Sequence, residues 1–232
     1  MKKITYIVVL LITLLSLCNL QRNFPSNIKI GIVDTDISKE YTEKNNIDKI
    51  MKNNICNYNT HGDMTVDFIK RENKKSIIYV ANVIGSNGIC SIDEVINGLD
   101  WLIENNVEVI CMSFTTLENN SKLQEKINEI LGKNIIIVAS CLNYSVEETY
   151  PASYSGVISV SNVYNPNAII CITDKKIKNK FNISKWKQSS TSIFTAYVTG
   201  DISKKMLKKG FSINDYISNF NWHLRVSLLN AS

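Results

Sequence analysis

The sequence predicts an α/β domain of three layers, a mainly parallel central sheet covered by helices on both faces. Short apolar runs rich in Ile and Val recur along the chain without strict alternation, as in strands buried on both sides. Segments with apolar residues at helical spacing separate them, and strands alternating with helices favour a parallel sheet. With 232 residues, 44% of them hydrophobic and 20% charged, the chain can build one ordinary domain with a sizeable core.

Residues Met1 to Leu20 combine Lys2-Lys3 with an apolar run from Ile4 to Leu17. This reads as a signal peptide or short N-terminal anchor and is left out of the fold. A spanning helix usually needs ~20 apolar residues, so the run is short for an anchor. The large Leu17 before Cys18 argues against a lipoprotein processing site. Only Asn19 to Asn27 separate the leader from the first strand, so folding without an intramolecular chaperone segment is expected. The remainder, residues 27–232, is taken as one domain.

Asn27 to Val33 reads as a buried strand ending at Asp34, and Ser38 to Asn59, polar and rich in Lys and Asn, as a surface excursion. A polar loop at Thr60-His61-Gly62 opens the next helical pattern. Ser76 to Val83, Val107 to Met112, Asn134 to Ala139, Val157 to Val163 and Ala168 to Thr173 are further strands. Ile92 to Asn105 carries Ile92, Val95, Ile96, Leu99 and Leu102 on one helical face, and Trp101 reads as core. Ser121 to Leu131 repeats the pattern with Leu123, Ile127 and Ile130, and Ser212 to Asn221 closes the chain as a short helix.

Six cysteines (Cys18, Cys56, Cys90, Cys111, Cys141 and Cys171) show no zinc-knuckle or redox-pair spacing. Metal binding is not expected, and Cys111 and Cys141 sit in apolar runs where cysteine acts as a small hydrophobe. The net charge of +5 is concentrated at Lys175, Lys176, Lys178, Lys180, Lys185 and Lys187 and at Lys204, Lys205, Lys208 and Lys209. A solvated face and a helix C-terminus account for these lysines. No aromatic stacking pattern or DNA-reading motif accompanies them, so nucleic acid is not an expected partner.

The chemistry-bearing stretch is Ser189-Ser190-Thr191-Ser192 followed by Ile193, Ala196 and Gly200 at helical spacing. Thr191 or Ser192 could cap that helix. A serine there also lies near unpaired N–H groups at the positive helix end, which suits a nucleophile generating an oxyanion. A serine hydroxyl needs a base, usually a histidine oriented by a carboxylate. Of the two histidines, His223 lies among apolar residues near the C-terminus and reads as packed or surface, while His61 opens a helix. Asp34 ends a buried strand, where open α/β sheets place working residues.

In the order Asp34, His61, Ser192, these segments resemble the subtilisin-like serine proteases, which share that triad order. The motifs that carry the resemblance are Val33-Asp34-Thr35, His61-Gly62 and Ser190-Thr191-Ser192. Between them, Val83-Ile84-Gly85-Ser86-Asn87-Gly88, Ile96-Asn97-Gly98-Leu99-Asp100-Trp101, Val109-Ile110-Cys111-Met112-Ser113, Ile136-Ile137-Val138-Ala139, Asn143 and Tyr150-Pro151-Ala152-Ser153-Tyr154 follow the family pattern. The similarity runs from Ile28 to Gly200. It departs at five family glycines, replaced here by Asp36, Cys90, Thr115, Leu142 and Ser190.

The resemblance implies a three-layer subtilisin-like fold and a serine endopeptidase without cofactor or metal. Ser192 would be the nucleophile, His61 the base, Asp34 the orienting acid and Asn143 a side-chain oxyanion donor. A peptide or protein substrate would lie extended between Gly88-Ile89-Cys90 and Ser113-Phe114-Thr115, with Leu142 lining the first specificity pocket. A secreted or outer-membrane-face location and a monomer are expected. The glycine replacements leave a second reading open, a non-catalytic relative that binds a peptide or partner in the same groove; an unrelated α/β binding protein is the third.

Overall fold

The computed structural model describes residues 26–45, 47, 49–51, 60–85, 87–172 and 190–220. The leader, Cys18, Cys56, the lysines from Lys175 to Lys187 and His223 lie outside the described residues. Among the described residues, no helix is long and apolar enough to cross a membrane.

Seven strands form one parallel sheet: β1 (Lys29–Asp34), β2 (Lys49–Ile50), β3 (Ile77–Asn82), β4 (Val109–Met112), β5 (Ile136–Ser140), β6 (Ile158–Ser161) and β7 (Ile170–Cys171). Their spatial order is β2-β3-β1-β4-β5-β6-β7. The helices are α1 (Lys39–Asn45), α2 (His61–Glu72), α3 (Ile92–Glu104), α4 (Ser121–Gly132) and α5 (Ser190–Met206), with α6 over 213–220.

Each sheet face carries its own core. On one, Met64, Val66, Phe68 and Ile69 of α2 meet Ile193, Phe194, Ala196, Val198 and Ile202 of α5 over Ile30, Ile32, Val80 and Val138. On the other, Val95, Leu99 and Leu102 of α3 and Leu123, Ile127 and Ile130 of α4 cover Val33, Ala81, Ile110 and Ala139. The three-layer arrangement expected from the continuous apolar strands is the one observed. Trp101 is half-buried, edge-on to Tyr79 with ring centroids 6.2 Å apart.

The excursion from Ser38 to Asn59 holds more structure than its polarity suggested. It contains α1 and the edge strand β2, and Tyr41 reaches the first core at 3% exposure. One apolar residue in a short helix leaves no periodic signal, and β2 owes its state to pairing with Tyr79 and Val80 of β3.

Two glycines set how closely the site-bearing elements meet. A Cβ on Gly62 would stand 2.7 Å from the Asp36 carbonyl and 2.8 Å from that of Thr35. One on Gly200 would stand 2.8 Å from the Ile69 carbonyl. The first lets α2 begin against the chain leaving β1, and the second lets α2 lie along α5.

Candidate active site

β1 and β3 are neighbours but feed helices on opposite faces, so a crevice opens beyond their carboxyl ends. The register sets Asp34 opposite Asn82 on one side. Because Val33 pairs with Met112, Asp34 also stands level with Ser113 on the other. Asp34 is fully buried, so its carboxylate must be satisfied by protein donors. Oδ1 accepts the Thr35 N–H at 2.7 Å and faces His61 Nδ1 at 2.7 Å; Oδ2 accepts the Thr65 hydroxyl at 2.9 Å.

His61 is the first residue of α2, and Thr60 before it caps the helix. The Thr60 hydroxyl accepts the Asp63 N–H at 3.1 Å, and the Asp63 carboxylate returns to the Thr60 N–H at 3.2 Å. This reciprocal box fixes the helix start. Asp63 also accepts the Ser38 N–H at 2.8 Å, the Thr60 hydroxyl donates to the Asp36 carbonyl, and the Gly62 N–H donates to the Thr35 hydroxyl at 3.0 Å. The loop after β1 and the first turn of α2 are therefore tied at several points. Since the carboxylate can only accept, Nδ1 carries the proton and Nε2 is left as the basic nitrogen. Burial works to lower the His61 pKa, but the charge of Asp34 and its hydrogen bond outweigh burial and hold it above 6.5.

Thr191 and Ser192 lie inside the first turn of α5, which begins at Ser190, so neither is its cap. Their hydroxyls do other work: Thr191 donates to Asn143 Oδ1, and Ser192 donates to the Ser113 carbonyl at 3.2 Å. Ser192 is 5% exposed. Below it, Thr195 and Ser140 share a hydroxyl hydrogen bond of 2.8 Å that ties α5 to the end of β5.

Asn143 follows β5 and is held by its oxygen. Oδ1 accepts the Thr191 N–H at 3.1 Å, the Thr191 hydroxyl, and Asn162 Nδ2 at 3.3 Å. Three donors on Oδ1 leave the Nδ2 end as the one aimed elsewhere. Asn162, itself fully buried, accepts the Tyr144 N–H at 2.9 Å.

The segments expected to flank a substrate differ in character. Gly88, at φ +76°, sits in a tight turn where Gly85 N–H meets the Ile89 carbonyl at 3.1 Å and Ile89 N–H meets Asn87 Oδ1 at 3.1 Å. The Ile89 side chain is exposed, and Cys90 packs partly on the second core. Across from it, Ser113 is buried and Phe114 and Thr115 half-buried, with the Thr115 hydroxyl oxygen buried and without a hydrogen-bond partner. Leu142 is half-buried beside Asn143. A two-way backbone bridge joins Thr116 to Tyr150 at 2.8 and 2.9 Å, clamping the loops after β4 and β5 together.

Three contributors escaped the sequence reading. Thr65 lies one helical turn beyond His61, a spacing that places both on one face and could have marked it. The Thr60-to-Asp63 box was legible as a capping pattern. Asn162 follows a strand, where asparagine ordinarily signals a turn, and nothing in the sequence distinguishes it.

Comparison with known proteins identifies the family and the fold. A profile of the Subtilase family matches residues 25–205. The minor extracellular protease Epr of Bacillus subtilis (strain 168) is 24% identical over 75% of this chain, which covers 29% of that protein. Subtilisin DY of Bacillus licheniformis is 24% identical over 60% of the chain and 57% of its own length. The chain thus spans well under two thirds of these relatives. The crystal structure of the psychrophilic subtilisin-like protease Apa1 from Pseudoalteromonas sp. AS-11 superposes with a TM-score of 0.53 at 19% identity, covering 62% of this chain and 40% of that one, and so shares the fold. The strand order, the two cores and a family match across most of the described chain lead to one conclusion: the chain belongs to the subtilase family.

Proposed function

We propose that the protein is a serine endopeptidase that hydrolyses peptide bonds through Asp34, His61 and Ser192. The observation that carries this reading is the 2.7 Å contact between His61 Nδ1 and the buried Asp34 carboxylate, at the mouth of the helix pair that also presents Ser192. Asp34 fixes the imidazole tautomer with Nε2 free of its proton. When a peptide enters, the Ser192 hydroxyl leaves the Ser113 carbonyl and passes its proton to Nε2 as Oγ attacks the scissile carbonyl. His61, now imidazolium beside Asp34, returns that proton to the leaving amine. A water repeats the sequence and releases the acyl group.

Asn143 Nδ2 and the Ser192 N–H supply the oxyanion hole in this reading. The three donors on Asn143 Oδ1 support it, because a carboxamide held by its oxygen meets developing charge without reorganising. The substrate pairs along Ser113-Phe114-Thr115 on one side. On the other it pairs with the Gly88 carbonyl and Cys90, since the Gly88 N–H and both backbone groups of Ile89 are engaged within their own turn. Leu142 and Thr115 narrow the first pocket, which gives a preference for small residues. The similarity to a protein named as extracellular supports action outside the cell, with residues 1–20 as signal peptide or anchor, 27–232 as the catalytic domain and a monomer as the working unit.

Treatment with a fluorophosphonate followed by peptide mass spectrometry tests the assignment. Labelling confined to Ser192, abolished in His61→Ala, is expected. A folded protein that takes no label at Ser192 would overturn it.

A further inference from the structure

Asp34 is bound from three directions, and only His61 belongs to the acid–base relay. Thr35 N–H and His61 Nδ1 both reach Oδ1. Oδ2 is bonded instead to the Thr65 hydroxyl at 2.9 Å. Thr65 is fully buried, as is Asp34. The same hydroxyl lies 3.3 Å from the His61 carbonyl. It has one proton, and the shorter contact to a charged acceptor is the stronger claim on it.

We propose that Thr65 is a positioning residue for the acid of this site: its hydroxyl holds Asp34 Oδ2, fixes the plane of the carboxylate, and thereby aims Oδ1 at His61. The inference rests on the reading of Asp34 and His61 as acid and base and adds a fourth side chain to it. The geometry explains why a helix residue does this. His61 and Thr65 are four apart on α2, so one rigid turn carries both the base and the hydroxyl that holds its carboxylate partner. Any drift of β1 against α2 disturbs both contacts together.

The bond also sets how much charge His61 feels. Without a donor on Oδ2, less of the carboxylate's charge is drawn to that oxygen, and Oδ1 binds the imidazolium more tightly. Losing the Thr65 donor therefore raises the His61 pKa further. Among the described residues no other charge complicates the expectation. Asp34 is the charged group acting on His61. From β4, Cys111 faces Asp34 with its thiol pushed up to about 11, by burial first, and is neutral. From α5, Thr195 and Thr199 present hydroxyls bound to helix carbonyls. Asp63, on α2 itself, is turned to the Ser38 and Thr60 N–H groups.

The test is an NMR titration of the His61 ring in the full chain, assigned with His61→Ala, for wild type, Thr65→Val and Thr65→Ser. Thr65→Val keeps the shape and removes the donor, and should move the His61 midpoint up by about half a pH unit, a fraction of what one hydrogen bond to a charged group is worth. Thr65→Ser should titrate as wild type. An unchanged midpoint in folded Thr65→Val would overturn the proposal, because a packing role alone does not move it. Should Thr65→Val fail to fold, Thr65→Ala removes the same donor and carries the same comparison. Turnover is not needed for this readout. A wild type that takes no fluorophosphonate but whose His61 responds to Thr65→Val loses the peptidase reading and keeps this one; labelling at Ser192 with no response in Thr65→Val does the reverse.

Discussion

Asn143 and Thr191 are joined twice, the backbone N–H and the hydroxyl of Thr191 both donating to Asn143 Oδ1. The carboxamide that ends the loop after β5 is thus locked to the first turn of the helix bearing Ser192. Its orientation is set by α5, not by its own rotamer preference.

Asn143→Ala should lower kcat by about 100- to 1,000-fold with little change in KM, the size of effect expected when one oxyanion donor is lost. Thr191→Val removes only one of the two anchors and should cost less. Steady-state kinetics on a fluorogenic peptide checks both. A rise in KM at constant kcat would place Asn143 in ground-state binding instead.

The His61 pKa lies above 6.5 because Asp34 outweighs burial, and two consequences follow with defined signs. Activity needs the neutral imidazole, so kcat/KM should climb with pH through a midpoint above 6.5. The stabilisation from the Asp34 pair is fully present below the unfolded value of 6.5 and is lost as pH rises through the higher folded value. Urea unfolding of wild type and His61→Ala between pH 5 and 9 should show their difference shrinking upward. A difference that grows with pH would reverse the assignment.

The parallel sheet and its helices were legible because strands such as Lys29–Asp34 and Val109–Met112 are apolar on both faces and α3 and α4 carry regular stripes. Strand ends shifted by one or two residues, since a ladder stops where its neighbour stops. Asp34, His61 and Ser192 could be ordered from sequence because each stands at the end of an element. Asn143 entered through the resemblance, and the bonds that hold it were not readable. Thr65 to Asp34 and Asn162 to Asn143 join residues 31 and 19 positions apart, and such pairings exist only once helix and sheet are packed. The sequence leaves a capping role open for Thr191 or Ser192 because the partners of their hydroxyls, Asn143 and Ser113, lie far off in the chain.

Gly200 separates stability from chemistry. With 2.8 Å between a Cβ there and the Ile69 carbonyl, Gly200→Ala must push α5 away from α2, a backbone contact that no side-chain rotation relieves. A loss of about 1–3 kcal/mol is expected from such overpacking. Chemical denaturation measures it. Since α2 carries His61 and α5 carries Ser192, fluorophosphonate labelling should slow in the same variant; an unchanged unfolding midpoint would show that the helices have room to yield.

The first specificity pocket offers the last test. In the proposed reading its walls are the loops after β4 and β5, which the Thr116–Tyr150 bridge ties together against parting for a large side chain. Thr115 and Leu142 stand where the family resemblance places glycines, and both are half-buried. Packed walls do not stretch, so a leucine side chain in this space excludes an aromatic one sterically. A peptide-library digest should show cleavage after small residues and little after Phe or Tyr. Leu142→Gly should restore space and raise kcat/KM for peptides with Phe at that position, by about tenfold or more given what single groups are worth in such pockets. Preferential cutting after Phe, Tyr or Leu by the wild type would mean that Leu142 points out of the pocket. In that case Thr115 alone would have to account for any selectivity, and Leu142→Gly would leave the cleavage pattern unchanged.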